Sequence, residues 1–215
     1  MNISAKLSNK LIFISATDTD VGKTYCSRLL VEYFQKQNKK VAYYKPIESG
    51  YVIGDSDVDY IAEVCSDIFY SYRLTLPISP HLAASEDNVE IDIDLIKQRV
   101  SWLKENYDVV IIEGAGGLLV PIKKDYDFSN LLQDLEASLL LVIGSKLGAI
   151  NQAKLNFDFI SKNKLNCFGY LYNEFLKNDE AISRNQEAIR EQADRYSIVE
   201  IASVNYLKET IDLSK

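Results

Sequence analysis

Leu11-Ile12-Phe13-Ile14-Ser15-Ala16-Thr17-Asp18-Thr19-Asp20-Val21-Gly22-Lys23-Thr24 decides how the 215-residue chain is read. The apolar run Leu11 to Ile14 has the length and branching of a short buried strand. A polar loop follows, and Gly22-Lys23-Thr24 opens a helical pattern continued by Leu29, Leu30, Tyr33 and Phe34. Strand, loop, Gly-Lys-Thr and helix is the context in which a phosphate-binding loop works. Backbone N–H groups at the helix start face a polyphosphate, the lysine reaches its outer phosphates, and the threonine hydroxyl coordinates Mg²⁺. The strict spacing asks for glycine at position 17, where this chain has Thr17 preceded by Ala16. The tripeptide alone arises readily by chance; its flanking strand and helix favour phosphate binding.

Composition narrows the rest. The hydrophobic fraction of 47% and charged fraction of 26% are those of a soluble globular protein able to bury a core without staples. The net charge of −7, with no lysine or arginine cluster, argues against a nucleic-acid partner. No apolar run approaches the length of a membrane span. Met1 to Lys6 leads toward the first strand without a signal-peptide pattern, so the expectation is a cytoplasmic protein with no membrane association. Cys26, Cys65 and Cys167 lack a Cys-x-x-Cys spacing and read as inert thiols of a reducing compartment. His81 is the only histidine, which disfavours histidine-based metal sites and acid–base chemistry.

Beyond the first helix, Val41 to Tyr44 reads as a second strand stopped by Lys45-Pro46. Ser56 or Asp57 starts a short helix carrying Val58, Ile61, Ala62 and Cys65. Residues 66–90, with Leu76-Pro77-Ile78-Ser79-Pro80-His81, read as the longest irregular stretch. Asp92 or Asp94 begins a helix through Ile96, Val100 and Leu103. Val109-Val110-Ile111-Ile112 indicates a strand buried on both faces, ended by Gly114-Ala115-Gly116-Gly117. A helix at Phe128 to Leu135, a strand at Ser138 to Ile143 and a helix at Ile150 to Ile160 follow. Then come a strand at Cys167 to Asn173, a helix over 178–195, a sixth strand at Ser197 to Ile201 and a weak helix over 203–215. This alternation, without repeats or linkers, predicts a single α/β domain: a mostly parallel β-sheet flanked by helices.

Ligands of open parallel sheets bind outside the carboxyl ends of the strands. Lys23, Thr24, Lys45, Glu113 and Asn173 are all expected there. Singly, each has a structural alternative: Lys45 as a solvated lysine, Glu113 as a turn cap, Asn173 as a turn residue. Together they make chemical sense. Thr24, Asp57 and Glu113 supply the hydroxyl and carboxylates that Mg²⁺ prefers. Two lysines beside a triphosphate suit charge stabilisation on a transferring phosphoryl group. Gly114, Gly116 and Gly117 allow backbone N–H groups to approach an anion.

These residues resemble the dethiobiotin synthetase family of P-loop NTPase-like proteins. The resemblance is carried, in order, by Ala16 to Thr24, Tyr44-Lys45-Pro46-Ile47-Glu48-Ser49-Gly50, Ser56-Asp57 and Ser79-Pro80-His81. It continues through Glu113 to Gly117, Lys146-Leu147-Gly148-Ala149-Ile150-Asn151 and Asn173. It implies an ATP-dependent ring closure in biotin biosynthesis, in which 7,8-diaminopelargonate (7,8-diaminononanoate) takes up CO₂ as a carbamate. ATP phosphorylates the carbamate, and the second amine closes a cyclic urea with release of phosphate. The resemblance also implies roles by position. Thr19, Asp20, Val21, Gly22, Lys23, Thr24 and Tyr25 would hold ATP, with Thr24, Asp57 and Glu113 on Mg²⁺. Lys23 would stabilise the γ-phosphate, and Lys45 and Ser49 would bind and polarise the carbamate. Gly114, Ala115, Gly116 and Gly117 would sit near the nucleotide and the amine end of the substrate. Asn173 would hydrogen-bond adenine. It further implies a homodimer in which Gly148, Ala149, Ile150 and Asn151, at a helix start, hold the substrate carboxylate of the other subunit.

The chain departs from the family pattern in three places. Ala16 replaces the usual glycine, Val199-Glu200-Ile201-Ala202-Ser203 lacks the proline of a Gly-Glu-Ile-Pro run, and no tyrosine stands near Asn185. His81 matches the family, and its expected role is structural. The competing reading is a regulatory or partitioning P-loop ATPase. Such proteins carry a second lysine four residues before the loop glycine, where this chain has Asp18, and the reading leaves Lys45 and Ser49 without a purpose.

Overall fold

The computed structural model describes residues 10–174 and 180–205. Its main sheet has seven strands, joined laterally in the order β3-β2-β4-β1-β7-β8-β9, every pair parallel. In chain order these are β1 (Leu11–Ala16), β2 (Val41–Ser49), β3 (Ile68–Leu74), β4 (Val109–Gly117), β7 (Ser138–Gly144), β8 (Cys167–Glu174) and β9 (Glu200–Asn205). A small antiparallel pair, β5 (Pro121–Lys123) and β6 (Tyr126–Asp127), stands apart from it. The helices are α1 (Lys23–Lys36), α2 (Asp57–Ala62), α3 (Pro80–Glu86), α4 (Ile93–Asn106), α5 (Phe128–Asp134), α6 (Ala149–Lys162) and α7 (Glu180–Arg195).

Alternation along the strands builds two cores. Leu11, Phe13, Val110, Ile112, Leu139 and Leu141 face one layer, packed by Ile96 and Val100 of α4, Phe157 of α6 and Ile189 of α7. Ile12, Ile14, Val109, Ile111, Leu140 and Val142 face the other, packed by Leu30, Val31 and Phe34 of α1 and Ile61 of α2. Each side chain buried this way contributes about 1.5–3 kcal/mol, so the central strands tolerate apolar residues at every position. Capping marks the helix starts. Ser56 accepts from the Asp59 N–H, and Asp92 accepts from the N–H groups of Asp94 and Leu95.

Several expected boundaries move. β2 runs through Lys45-Pro46 to Ser49 rather than stopping there. Its pairing with β4 ends at Tyr44↔Ile112, and it continues as a one-sided ladder with β3, where a proline is tolerated. Residues 66–90 are not irregular: they contain β3 and α3. β3 is an edge strand with a half-exposed face, so it lacks the continuous apolar run of its neighbours. β4 continues through its glycines, because Gly117 pairs with Ala16 across a bulge in β4 between Glu113 and Gly117, and Gly114 packs closely on Phe13 and Phe128. The last strand is Glu200–Asn205, not Ser197 to Ile201. The N–H groups of Ser197 and Ile198 return to Asp194 and Ala193, and Ser197 has φ 56°, so these residues close α7. Residues 203–205 therefore belong to β9, and the helix expected over 203–215 otherwise lies outside the described residues, as do 178–179.

Candidate active site

The phosphate-binding loop spans Thr17 to Gly22, between the end of β1 and the start of α1. The Thr17 N–H donates to the Val142 carbonyl at 3.0 Å, fixing the loop to β7. Gly22 has φ 88°, the left-handed conformation that turns the chain into the helix. A side chain cannot be added there. A Cβ would lie 2.1 Å from Nδ2 of Asn173, which itself donates to the Val21 carbonyl at 2.9 Å. Gly22→Ala is therefore expected to cost about 1–2 kcal/mol in backbone strain alone. Displacing Asn173 adds to this, and ATP affinity measured by calorimetry should fall by about tenfold or more. An unchanged dissociation constant would show that the loop adapts without cost.

Asp18 ties the loop to the far side of the sheet edge. It accepts hydrogen bonds from Lys146 Nζ and, at 2.8 Å, from Gln152 Nε2 on α6. The Lys146 hydrogen bond holds the Asp18 carboxyl down, to about 2. The lysine at this point of the loop thus comes from the β7–α6 connection.

Behind the loop stands a buried polar cage. Thr24 Oγ1 donates to Asp57 Oδ1 at 2.7 Å and is 2.9 Å from Glu113 Oε1. Lys45 Nζ donates to Asp57 Oδ2 and, at 2.8 Å, to Glu113 Oε1. The other Glu113 oxygen accepts from Ser27 Oγ at 2.6 Å and from the Tyr43 hydroxyl at 3.0 Å. Glu113 has no exposed surface and Lys45 is 2% exposed, so each carries a charge that only the cage compensates. Burial works against the Lys45 ammonium, but Glu113 and Asp57 more than offset it, and its pKa lies above the ordinary lysine value. Burial likewise works against ionised Asp57, yet Lys45 and Thr24 hold the carboxyl below its usual range. Lys23 differs. Burial, reinforced by Lys45, lowers its pKa despite Glu113, Asp57 and Asp20.

The cage opens onto a cavity of about 950 Å³ at the carboxyl ends of β1, β2 and β4. Of the residues singled out from sequence, Thr19, Asp20, Gly22, Lys23, Thr24 and Tyr25 line it from the loop and α1. Lys45, Ser49 and Asp57 line it from β2 and α2, and Ala115 and Gly116 from β4. Val21, Glu113, Gly114, Gly117 and Asn173 do not reach its wall. Lys45, Glu113 and Asn173 lie within strands rather than beyond them. Ser49 Oγ and Asn173 Oδ1 are buried with no hydrogen-bond partner among the described residues. Gly148, the N-cap of α6, and Ala149, Ile150 and Asn151 do not line this cavity. Ser79 and Pro80 line it, but His81 does not.

Sequence reasoning passed over two features. Asp18 was read only as a missing lysine. Glu48, within the quoted Tyr44 to Gly50 stretch, lines the cavity while 4% exposed, and its Oε1 accepts from the Asp57 N–H at 2.7 Å. A second charged residue three positions after Lys45 on the same strand was the available signal.

The donor set suits a hard divalent cation. Among the described residues no three His, Cys, Asp or Glu side chains are grouped to hold a metal by themselves. Instead the Thr24 hydroxyl lies within hydrogen-bonding distance of a carboxylate oxygen of Asp57 and of Glu113. That fits Mg²⁺, which takes one or two carboxylates and completes its shell with phosphate oxygens and water. Among the described residues no helix is long and apolar enough to cross a membrane.

Comparison with known proteins places this geometry. A family model described as an AAA domain matches residues 10–212. The ATP-dependent dethiobiotin synthetase BioD of Methanococcus vannielii is 36% identical over 168 residues, 76% of this chain and 78% of that protein. The protein of the same name from Aliivibrio fischeri is 32% identical over 205 residues, 91% of this chain and 89% of that protein. The chain belongs to the dethiobiotin synthetase family. Solved structures share the fold at low identity. MinD in the MinC:MinD cell division protein complex of Aquifex aeolicus has TM-score 0.57 at 16% identity, covering 92% of this chain and 81% of that one. MinD of Pyrococcus horikoshii with Mg-ADP has TM-score 0.57 at 15% identity, covering 91% and 81%. In this dethiobiotin synthetase family member, the Val199 to Ser203 run enters the last strand. Glu200 heads β9 and accepts from Arg190, Gln186 and the Tyr170 hydroxyl, so its carboxylate is committed within the fold.

Proposed function

We propose that the protein catalyses ATP-dependent closure of 7,8-diaminononanoate and CO₂ to dethiobiotin, in biotin biosynthesis. The observation that carries this reading is Lys45, a buried ammonium between Asp57 and Glu113 at the edge of a cavity shared with the phosphate-binding loop. Phosphate loops need no such lysine to bind nucleotide; a reaction that builds an anion beside the γ-phosphate does.

In the proposed sequence, one substrate amine adds to CO₂, forming the C–N bond of a carbamate and releasing a proton. A carbamate oxygen attacks the γ-phosphorus and ADP leaves. The second amine then attacks the carbamoyl carbon, phosphate departs, and the cyclic urea closes. Lys45 stabilises the carbamate, with the unpartnered Ser49 hydroxyl as its neighbour donor. Lys23 balances charge on the transferring phosphoryl group, and the loop N–H groups hold the remaining phosphates. Mg²⁺, held by Thr24, Asp57 and Glu113, would neutralise the polyphosphate. The free Oδ1 of Asn173 is the acceptor offered to the adenine amine. We assign the protein to the cytoplasm and to a homodimer. The start of α6, which does not line the cavity, would then serve the partner subunit's substrate carboxylate through its N–H groups.

The test is direct. Incubation with the diamine, bicarbonate, ATP and Mg²⁺ should yield dethiobiotin, detected by mass spectrometry, with one ADP per product. Diamine-independent ATP hydrolysis without cyclic urea would instead favour a regulatory ATPase and overturn the proposal.

A further inference from the structure

Glu48 is a buried carboxylate with one oxygen hydrogen-bonded and the other facing only a long ion pair. Oε1 accepts from the Asp57 N–H at 2.7 Å, at the first turn of α2. Oε2 is buried and has no hydrogen-bond partner among the described residues. Its nearest paired cation, Arg73, comes no closer than 3.9 Å through Nε. Arg73 Nε, itself without a hydrogen-bond partner among the described residues, faces Oε2 only across this long ion pair. Its guanidinium lies 3.7 Å from the centroid of Tyr70 and 4.2 Å from that of Tyr51, and it donates to the Tyr51 hydroxyl at 3.0 Å. Lys45, three residues earlier, is engaged by Asp57 and Glu113.

A buried carboxylate oxygen without a donor is costly, and the cost is removed by a donor the ligand brings. The chemistry of that donor is constrained. Oε2 rejects phosphate, carboxylate or carbamate and accepts an N–H group, best a protonated or neutral alkyl amine. The cavity otherwise favours anions, through Lys23, Lys45 and the loop amides. Glu48 is thus the acceptor wall beside Ser49, the next residue on the same strand end. Its committed Oε1 also sets it apart from the Thr24, Asp57 and Glu113 oxygen cluster.

We propose that Glu48 Oε2 binds the second amino group of the vicinal diamine, holding it beside the carbamate carried at Lys45 and Ser49. This rests on the ring-closing reading above. Glu48 is then a substrate-binding residue for the nucleophile of the last step.

Glu48→Gln separates this role from a structural one, because the glutamine carbonyl still accepts the Asp57 N–H while the charge is lost. At saturating ATP and bicarbonate, KM for the diamine should rise by about 10–100-fold, the range for a hydrogen bond to a charged group. KM for ATP and the Mg²⁺ midpoint should stay within about twofold of wild type. An unchanged diamine KM would overturn the proposal. So would parallel shifts in diamine KM, ATP KM and Mg²⁺ midpoint, which would mean that Glu48 acts only by placing Asp57. Should the variant fail to fold, wild-type protein still decides the matter by calorimetry. The diamine should bind about 10–100-fold more tightly than the monoamino nonanoate that lacks the second, ring-closing amine. Equal affinity for the diamine and that monoamine would overturn it. Wild-type protein that makes no dethiobiotin would instead fail the earlier reading.

Discussion

Glu113→Ala should lower the melting temperature by roughly 6–12 °C, read by thermal denaturation without nucleotide. Ser27, Tyr43 and Lys45 donate to the two oxygens of Glu113, Thr24 Oγ1 lies 2.9 Å from one of them, and none of the Glu113 surface is exposed. Removing one partner of a buried ion pair costs about 3–5 kcal/mol, because the remaining charge stays desolvated. The lower end applies here, since Asp57, with its side chain 40% exposed, still faces Lys45. About 3 kcal/mol corresponds to a loss of roughly 6–12 °C in a chain of this length. Glu113→Gln keeps an acceptor and should fall less, while losing its response to Mg²⁺. An alanine variant melting within about 1 °C of wild type would mean that water enters the cage and solvates Lys45.

Much of this site was legible because its chemistry is local. The turn at Gly22, the helix beginning at Lys23 and the caps at Ser56 and Asp92 each depend on a few neighbouring residues. Val109 to Ile112 similarly announced a strand buried on both faces. What escaped the sequence depends on distant pairings. Lys45-Pro46 looked like a strand end because the sequence does not show that β4 leaves β2 at Tyr44, freeing that edge. Ile198 looked like strand because its apolar side chain enters a core, although its N–H closes α7. Asp18 gained its meaning from Lys146, 128 residues away, and Glu48 from the Asp57 N–H. The resemblance supplied the roles of Lys45 and Glu113; the fold added that both charges are buried and shared.

That sharing makes Lys45→Ala the most informative catalytic test. Dethiobiotin formation should fall by about 10²–10³-fold or more, the usual effect of removing one preorganised charge from a developing anion. ATP affinity should change by only a few-fold, because Lys45 touches Asp57 and Glu113 while the phosphate loop has Lys23 and its own amides. Single-turnover ADP and product formation, beside calorimetric ATP binding, separates the two effects. The variant also leaves two carboxylates facing Thr24 without their ammonium. A divalent cation would relieve that repulsion, so Mg²⁺ alone should raise its melting temperature more than it raises that of wild type. A collapse of ATP affinity would place Lys45 on the nucleotide instead. Equal Mg²⁺ responses in the two proteins would mean that the carboxylates do not compete for Lys45 and the metal. Loss of turnover with ATP affinity retained and the Mg²⁺ response enlarged is the pattern expected only if one cage both stores the lysine charge and receives the cation.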